Sequence, residues 1–199
     1  MNNPLTHNRG FTLIEVILVV VIAGILASVT FRSAGKMSET VRVEETKQEL
    51  DALAFAIAGN PELQNNGVRS DFGYVGDVGA MPANLDALKS NPGGYSTWKG
   101  PYINNRLSQI SDDYKKDAWG VDYGYSSNVT ITSNGSGSDI VRRLANSTDD
   151  LVRNTVNGVI VDVNGTPPGH DYKDSVSARL TIPDGSGSLV TKSSSVDAG

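Results

Sequence analysis

The sequence predicts an α+β fold in which one long N-terminal helix packs on a small antiparallel sheet, followed by a β-rich extension. Three observations carry this expectation. An apolar run from Phe11 to Phe31 passes without a break into an amphipathic stretch that ends at Ala58. Trp119, Tyr123 and Tyr125 alternate as strand residues do, and Val129 and Ile131 follow them. Beyond Asp149, short Val-, Ile- and Leu-rich runs are separated by Gly-Pro turns.

The helix comes first. In the 21 residues from Phe11 to Phe31 the polar members are Thr12, Glu15, Ser28 and Thr30, and a helix of that length spans roughly 30 Å, a hydrocarbon core. A secretory signal peptide is the competing reading, with "GILAS" as its cleavage site. Against it, the helical pattern continues past Arg32, with Val43, Leu50, Leu53 and Ile57 on one face and Glu39, Arg42, Glu44, Glu45, Lys47, Glu49 and Asp51 on the other. Residues 11–58 would form a helix on the order of 70 Å long, ended by Gly59, Asn60 and Pro61. Gly24 costs helix propensity in water but permits close helix approach in lipid.

Glu15 is the anomaly. A carboxylate at mid-bilayer costs about 2.5–3.5 kcal/mol on insertion scales, so it needs a partner. Cleavage before Phe11 would create one, an α-amine with a reference pKa of about 7.7–8.0. Its own amine, one helical turn away, or that of a neighbouring copy would serve; a glutamate tolerated near the membrane interface is the plainer alternative.

A short polar leader ending in R-G, then F-T-L-I-E-V, then an uninterrupted helix resembles the class III signal of type IV pilins and type II secretion pseudopilins. The resemblance implies a cleaved leader (1–10), a prepilin peptidase cut between Gly10 and Phe11, N-methylation of Phe11, and assembly through Phe11, Glu15 and Gly24. It favours pairing of Glu15 with the amine of a neighbour. It also implies a pilin fold and a single-pass protein of the bacterial inner membrane (transmembrane over 11–31) with its head in the periplasm. From there it would enter a filament in the periplasm or at the cell surface. The implied partners are further copies of itself, related minor pilins, the prepilin peptidase, an inner-membrane platform protein and an assembly ATPase.

The head, 59–148, opens with a loop-dominated, glycine-rich stretch and a short helix over Ala83–Lys89. "TWKGPYINNRL" followed by "YKKDAWGVDYGY" resembles the major pseudopilin of type II secretion, in which this region builds a small sheet against the long helix. Trp98, Pro101, Tyr102, Trp119, Gly120, Tyr123 and Tyr125 are accordingly expected in the head core rather than in a ligand-stacking role. "SQISDDY" reads as a loop extension. The family's head closes with an acidic calcium loop; "SNGSGSD" keeps only Asp139 of that acid set, so calcium is a weak candidate, no other cofactor is expected, and a flexible turn is the alternative.

Residues 149–199 read as a β-rich appendage. A helical turn over Asp149–Arg153 precedes candidate strands at Gly158–Val163, Val176–Ile182 and Leu189–Lys192. "GVIVDVNGTP" resembles the first strands of small immunoglobulin-like modules of the carboxypeptidase-regulatory type. An incomplete module of this kind would expose an unpaired edge; the alternative is that these strands enlarge the pilin sheet.

Composition narrows the function. A net charge of −5 and a pI near 5.0 give no basic field, so no nucleic-acid partner is expected. There is no cysteine, hence no disulfide or thiolate chemistry. The two histidines, His7 and His170, fall in the leader and in a Gly-Pro turn, no phosphate loop is present, and an enzyme is not expected. The sequence thus points to a filament subunit, most specifically a type II secretion pseudopilin that polymerises to drive protein export. A type IV pilin for adhesion, motility or DNA uptake is the alternative within the class. A non-polymerising, membrane-anchored binding module is the alternative outside it.

Overall fold

The structure, a computed structural model, describes residues 12–103, 113–167 and 169–195, with the side chains of 26–36, 113 and 173 outside that description. The chain forms two compact units, 1–44 and 45–199, and helix α1 (Leu13–Ala58) contributes residues to both. The architecture is α+β with small antiparallel sheets.

In the first unit α1 starts at Leu13 because Thr12 caps it. The Thr12 carbonyl accepts the N–H groups of Glu15 and Val16 at 3.1 and 3.2 Å. No proline interrupts the helix. Among the described residues no helix is long and apolar enough to cross a membrane. The span expected over 11–31 lies partly outside them, since its described side chains run only from Thr12 to Ile25.

In the second unit the last turns of α1 form one wall of the core. Leu50, Leu53 and Ile57 recur at helical spacing and are at most 1 % exposed. They meet Tyr74, Val75 and Val78 of helix α2 (Gly73–Val78), Leu85 and Leu88 of a 3-10 turn, and Tyr114, Tyr123 and Ile131 from later segments. Truncating one such leucine to alanine costs about 2–5 kcal/mol.

The helix stops at Gly59, whose φ of +80° is left-handed and whose N–H donates to the Phe55 carbonyl at 2.7 Å. There is no room for a side chain there: a Cβ would lie 2.5 Å from the Phe72 Cα. Arg69 finishes the end, its Nη2 donating to the Ala58 carbonyl at 2.5 Å. Arg69 is held by a two-residue hairpin, β1 (Gln64–Asn65) with β2 (Val68–Arg69), whose Asn66-Gly67 turn has φ > 0 at both positions.

The head sheet is smaller than expected. Strands β3 (Thr130–Ser133) and β4 (Ile140–Arg143) pair antiparallel over four residues, and the Trp119–Tyr125 segment joins only through a single bridge, Gly124 to Thr132. Trp119 lies in a turn because Asp117 captures the local N–H groups. The short helix expected over Ala83–Lys89 is a 3-10 turn, Leu85–Leu88, capped by the Asn84 side chain. Most of "SQISDDY" lies outside the described residues.

At the C-terminal end, helix α3 (Asp149–Val152) is one turn, and β5 (Ser177–Pro183) and β6 (Leu189–Ser195) form a hairpin. Its turn is fastened to the head. The Gly185 N–H donates to the Val78 carbonyl at 2.9 Å, and the Ser96 N–H donates to the Gly187 carbonyl at 2.9 Å. The strand expected over Gly158–Val163 does not form: these residues belong to no strand and make no ladder bonds. Its end is drawn into a turn by Asp162, whose Oδ1 accepts the Asn164 and Thr166 N–H groups, both at 2.8 Å.

Candidate functional site

The first turn of α1 gathers the chemistry of the N-terminal motif. Gly10 and Phe11 lie outside the described residues. Thr12 and Glu15 have the T-x-x-E spacing of a capping box, and the Glu15 N–H reaches the Thr12 Oγ1 at 3.4 Å. A carboxylate in the first turn is also favoured by the helix dipole. Through that dipole the Glu15 carboxylate has a local role beside any intermolecular one, whereas the bond to Thr12 comes from its backbone N–H.

Around this carboxylate the helix is apolar on every side and uncovered. Leu13, Ile14, Val16–Ile22 and Ile25 are each 50–81 % exposed. A Cβ at Gly24 would meet nothing within 4 Å. Removing these side chains from water is worth on the order of 15 kcal/mol, so the segment needs lipid or other helices around it.

The head residues separate into two groups. Tyr123 is buried, and its hydroxyl donates to Glu49 Oε2 at 2.5 Å, tying the β region to α1. Burial first, then Glu49 and the nearby Asp117 and Glu45, push the Tyr123 phenol well above its ordinary range. Trp98, Tyr102 and Tyr125 are half-buried against the core. Trp98 Nε1 donates to the Ala87 carbonyl at 2.9 Å, and the Tyr102 hydroxyl donates to Asp77 Oδ2 at 2.8 Å. The Tyr125 hydroxyl donates to the Pro82 carbonyl at 3.0 Å. Trp119 is half-buried, whereas Pro101 and Gly120, expected in the core, are exposed. Each is a turn-former at the edge of an aromatic cluster. Gly120 takes a φ of +81° and donates its N–H to the Asp117 carbonyl at 2.8 Å.

Asp117 organises this loop, and the aromatic spacing alone did not reveal it. The residue is 5 % exposed. Its Oδ1 accepts the N–H groups of Trp119 and Val121 at 3.0 and 2.9 Å. Its Oδ2 accepts the Ser133 hydroxyl at 2.6 Å and the Gly135 N–H at 3.1 Å. Burial pushes its pKa up, but the bonds from Ser133, Val121, Trp119 and Gly135 together outweigh this and hold it below the usual carboxylate range. The next residue is tied to α1, since the Ala118 N–H donates to the fully buried Thr46 Oγ1 at 3.2 Å. Aspartate two residues before Trp119 and a threonine amid a charged helix face were the available signals.

Asp139 stands at the end of a turn closed by the Gly137 N–H donating to the Asn134 carbonyl at 3.1 Å. Among the described residues no three His, Cys, Asp or Glu side chains converge as a metal site requires.

The chain matches no curated protein and no solved structure. Residues 5–31 do match the family model of the prokaryotic N-terminal methylation motif, and this stretch holds Gly10, Phe11, Thr12, Glu15 and the exposed apolar turns. The motif supports a protein of the type IV pilin-like kind, processed as a prepilin.

Proposed function

We propose that the chain is a structural subunit of a type IV pilus-like filament. The carrying observation is the coincidence of the methylation motif, 5–31, with a helix whose apolar residues from Leu13 to Ile25 are uncovered on all sides. The mature chain begins at Phe11, rests in the inner membrane through 11–31 with its head in the periplasm, and exchanges lipid for neighbouring helices on assembly. Glu15 accepts the α-amine of a neighbour's Phe11 and sets the register between copies. Prepilin peptidase, a platform protein, an assembly ATPase and minor pilins are its partners.

Within this class we favour a type II secretion pseudopilin. The support is W-K-G-P-Y with K-D-x-W-G-x-x-Y-x-Y, together with the Asp117 cage and the Tyr123–Glu49 bond that these residues form. The role is structural rather than catalytic.

The test is the mass of the N-terminal peptide, measured on protein from membranes with and without co-expressed prepilin peptidase. A peptide starting at Phe11 and carrying one added methyl is expected only with the peptidase. Cleavage near Ala27, or none, overturns the reading. Sheared surface fibres would move the protein from the pseudopilins to the surface pilins.

A further inference from the structure

The C-terminal part of the second unit holds, among the described residues, a β-branched segment outside any sheet and a hairpin of two strands. Among the described residues, no backbone group between Asn154 and Val161 has a hydrogen-bond partner. The segment is nevertheless rich in β-branched residues, with Val156, Val159 and Val161 exposed by 72, 83 and 48 %. It borders a groove of about 770 Å³ against the open end of the β5–β6 hairpin. Register places Ala178, Leu180 and Ile182 on the same hairpin face as Val190, and that face is uncovered toward Ala178 and Leu180. β6 is exposed along all seven residues, and among the described residues no strand pairs with its outer edge.

We propose that residues 155–161 of one copy add as a strand to the free edge of β6 in a second copy of this chain. The two surfaces are complementary. The segment from Asn154 to Val163 carries Asp162 and no cation, whereas β5 and β6 carry Arg179 and Lys192 and no acid. Arg179 and Lys192 line the groove and have no ion-pair partner among the described residues. Within one copy the segment lines the groove without making ladder bonds, so its N–H and C=O groups remain available. Fastening the hairpin at its turn, through Gly185 and Gly187, leaves the opposite end open to receive a strand. The strand supplies main-chain bonds, and its alternate valines fill the apolar face. The proximity of copies rests on the filament reading, because N-terminal helices packed together raise the effective concentration of heads to the millimolar range.

The absence of native cysteine makes the test clean. Full-length chains carrying a single cysteine at 157, 159 or 161 are mixed in membranes with chains carrying one at 190, 192 or 194, the β6 positions on the apolar face, then oxidised. Mixed disulfide dimers are expected along one diagonal of the combinations, roughly ten-fold above a control pair using Val121→Cys, as an enforced high local concentration predicts. Val159→Lys, at a site too exposed to disturb the fold, reduces the cross-link from position 157 to the control level. Cross-links at the control level in every combination, or equal in all of them, overturn the proposal. Filaments are scored separately by shearing: filaments without the cross-link reject strand addition alone, and the cross-link without filaments rejects the assembly reading alone.

Discussion

Replacing Asp117 tests whether the W-G loop is held by its carboxylate. Asp117→Ala strands three backbone N–H donors, those of Trp119, Val121 and Gly135, together with the Ser133 hydroxyl, at 2.6–3.1 Å from the lost oxygens. Bonds to a charged acceptor contribute about 1.5–3 kcal/mol each, but water reaches part of the vacated site and the losses do not add. A net loss of about 3–5 kcal/mol is expected, a large share of a typical domain's stability. Asp117→Asn separates charge from shape. Its oxygen still serves Trp119 and Val121, and the Ser133 hydroxyl can turn to accept, but the Gly135 N–H then faces an NH2 donor, for about 2 kcal/mol. The pH dependence has a fixed sign. Because the folded carboxylate titrates below its ordinary range, its contribution is full above the unfolded value of about 3.9 and is lost as pH falls through the folded value. The asparagine variant therefore has a flatter acid limb below a pH of about 4. The assay is denaturant unfolding of the full chain in detergent, followed by the fluorescence of Trp98 and Trp119, across this pH range. An alanine variant within about 1 kcal/mol of the parent, or an unchanged acid limb in the asparagine variant, refutes the reasoning.

Three further outcomes are expected. Glu15→Gln keeps size and helix propensity but removes the charge, so it should insert normally and fail to assemble, whereas assembly at parental levels in sheared-filament or cross-linking assays would leave Glu15 only its helix-dipole role. Gly59→Ala forces a side chain into a φ of +80° and a Cβ to 2.5 Å from the Phe72 Cα, and should cost roughly 2–4 kcal/mol in the same unfolding assay. Burial, then Glu49, raises the Tyr123 phenol, so its stabilisation is full below the unfolded value of about 10 and declines as pH rises toward the folded one; tyrosinate absorbance should lag in the folded chain, and Tyr123→Phe should lessen that lag.

What the sequence determined by itself was local and periodic. The helix from the N-terminal motif to Ala58, its stop at Gly59, and the apolar turns around Glu15 are set by residue spacing within one element, and the 5–31 match rests on that same stretch. The β5 and β6 runs were legible for the same reason, since alternation and the P-D-G-S-G turn specify a hairpin without outside help. Tertiary structure decided what depends on a donor finding an acceptor far along the chain. Asp117 reaches Ser133 and Gly135 and so converts an alternating aromatic segment into a turn that a strand pattern would have extended. Glu49 read as part of a solvated helix face and Thr46 carried no signal of its own beyond its charged neighbours, yet they receive the Tyr123 hydroxyl and the Ala118 N–H from segments more than 70 residues away. Pro101 and Gly120 were drawn toward the core by their aromatic neighbours and lie at its surface, because a turn gives its backbone to the core's edge and its own bulk to water. Unpaired backbone over 154–161 was likewise invisible in sequence: β propensity says that a segment can form a strand, and only the folded chain decides whether an edge is within reach.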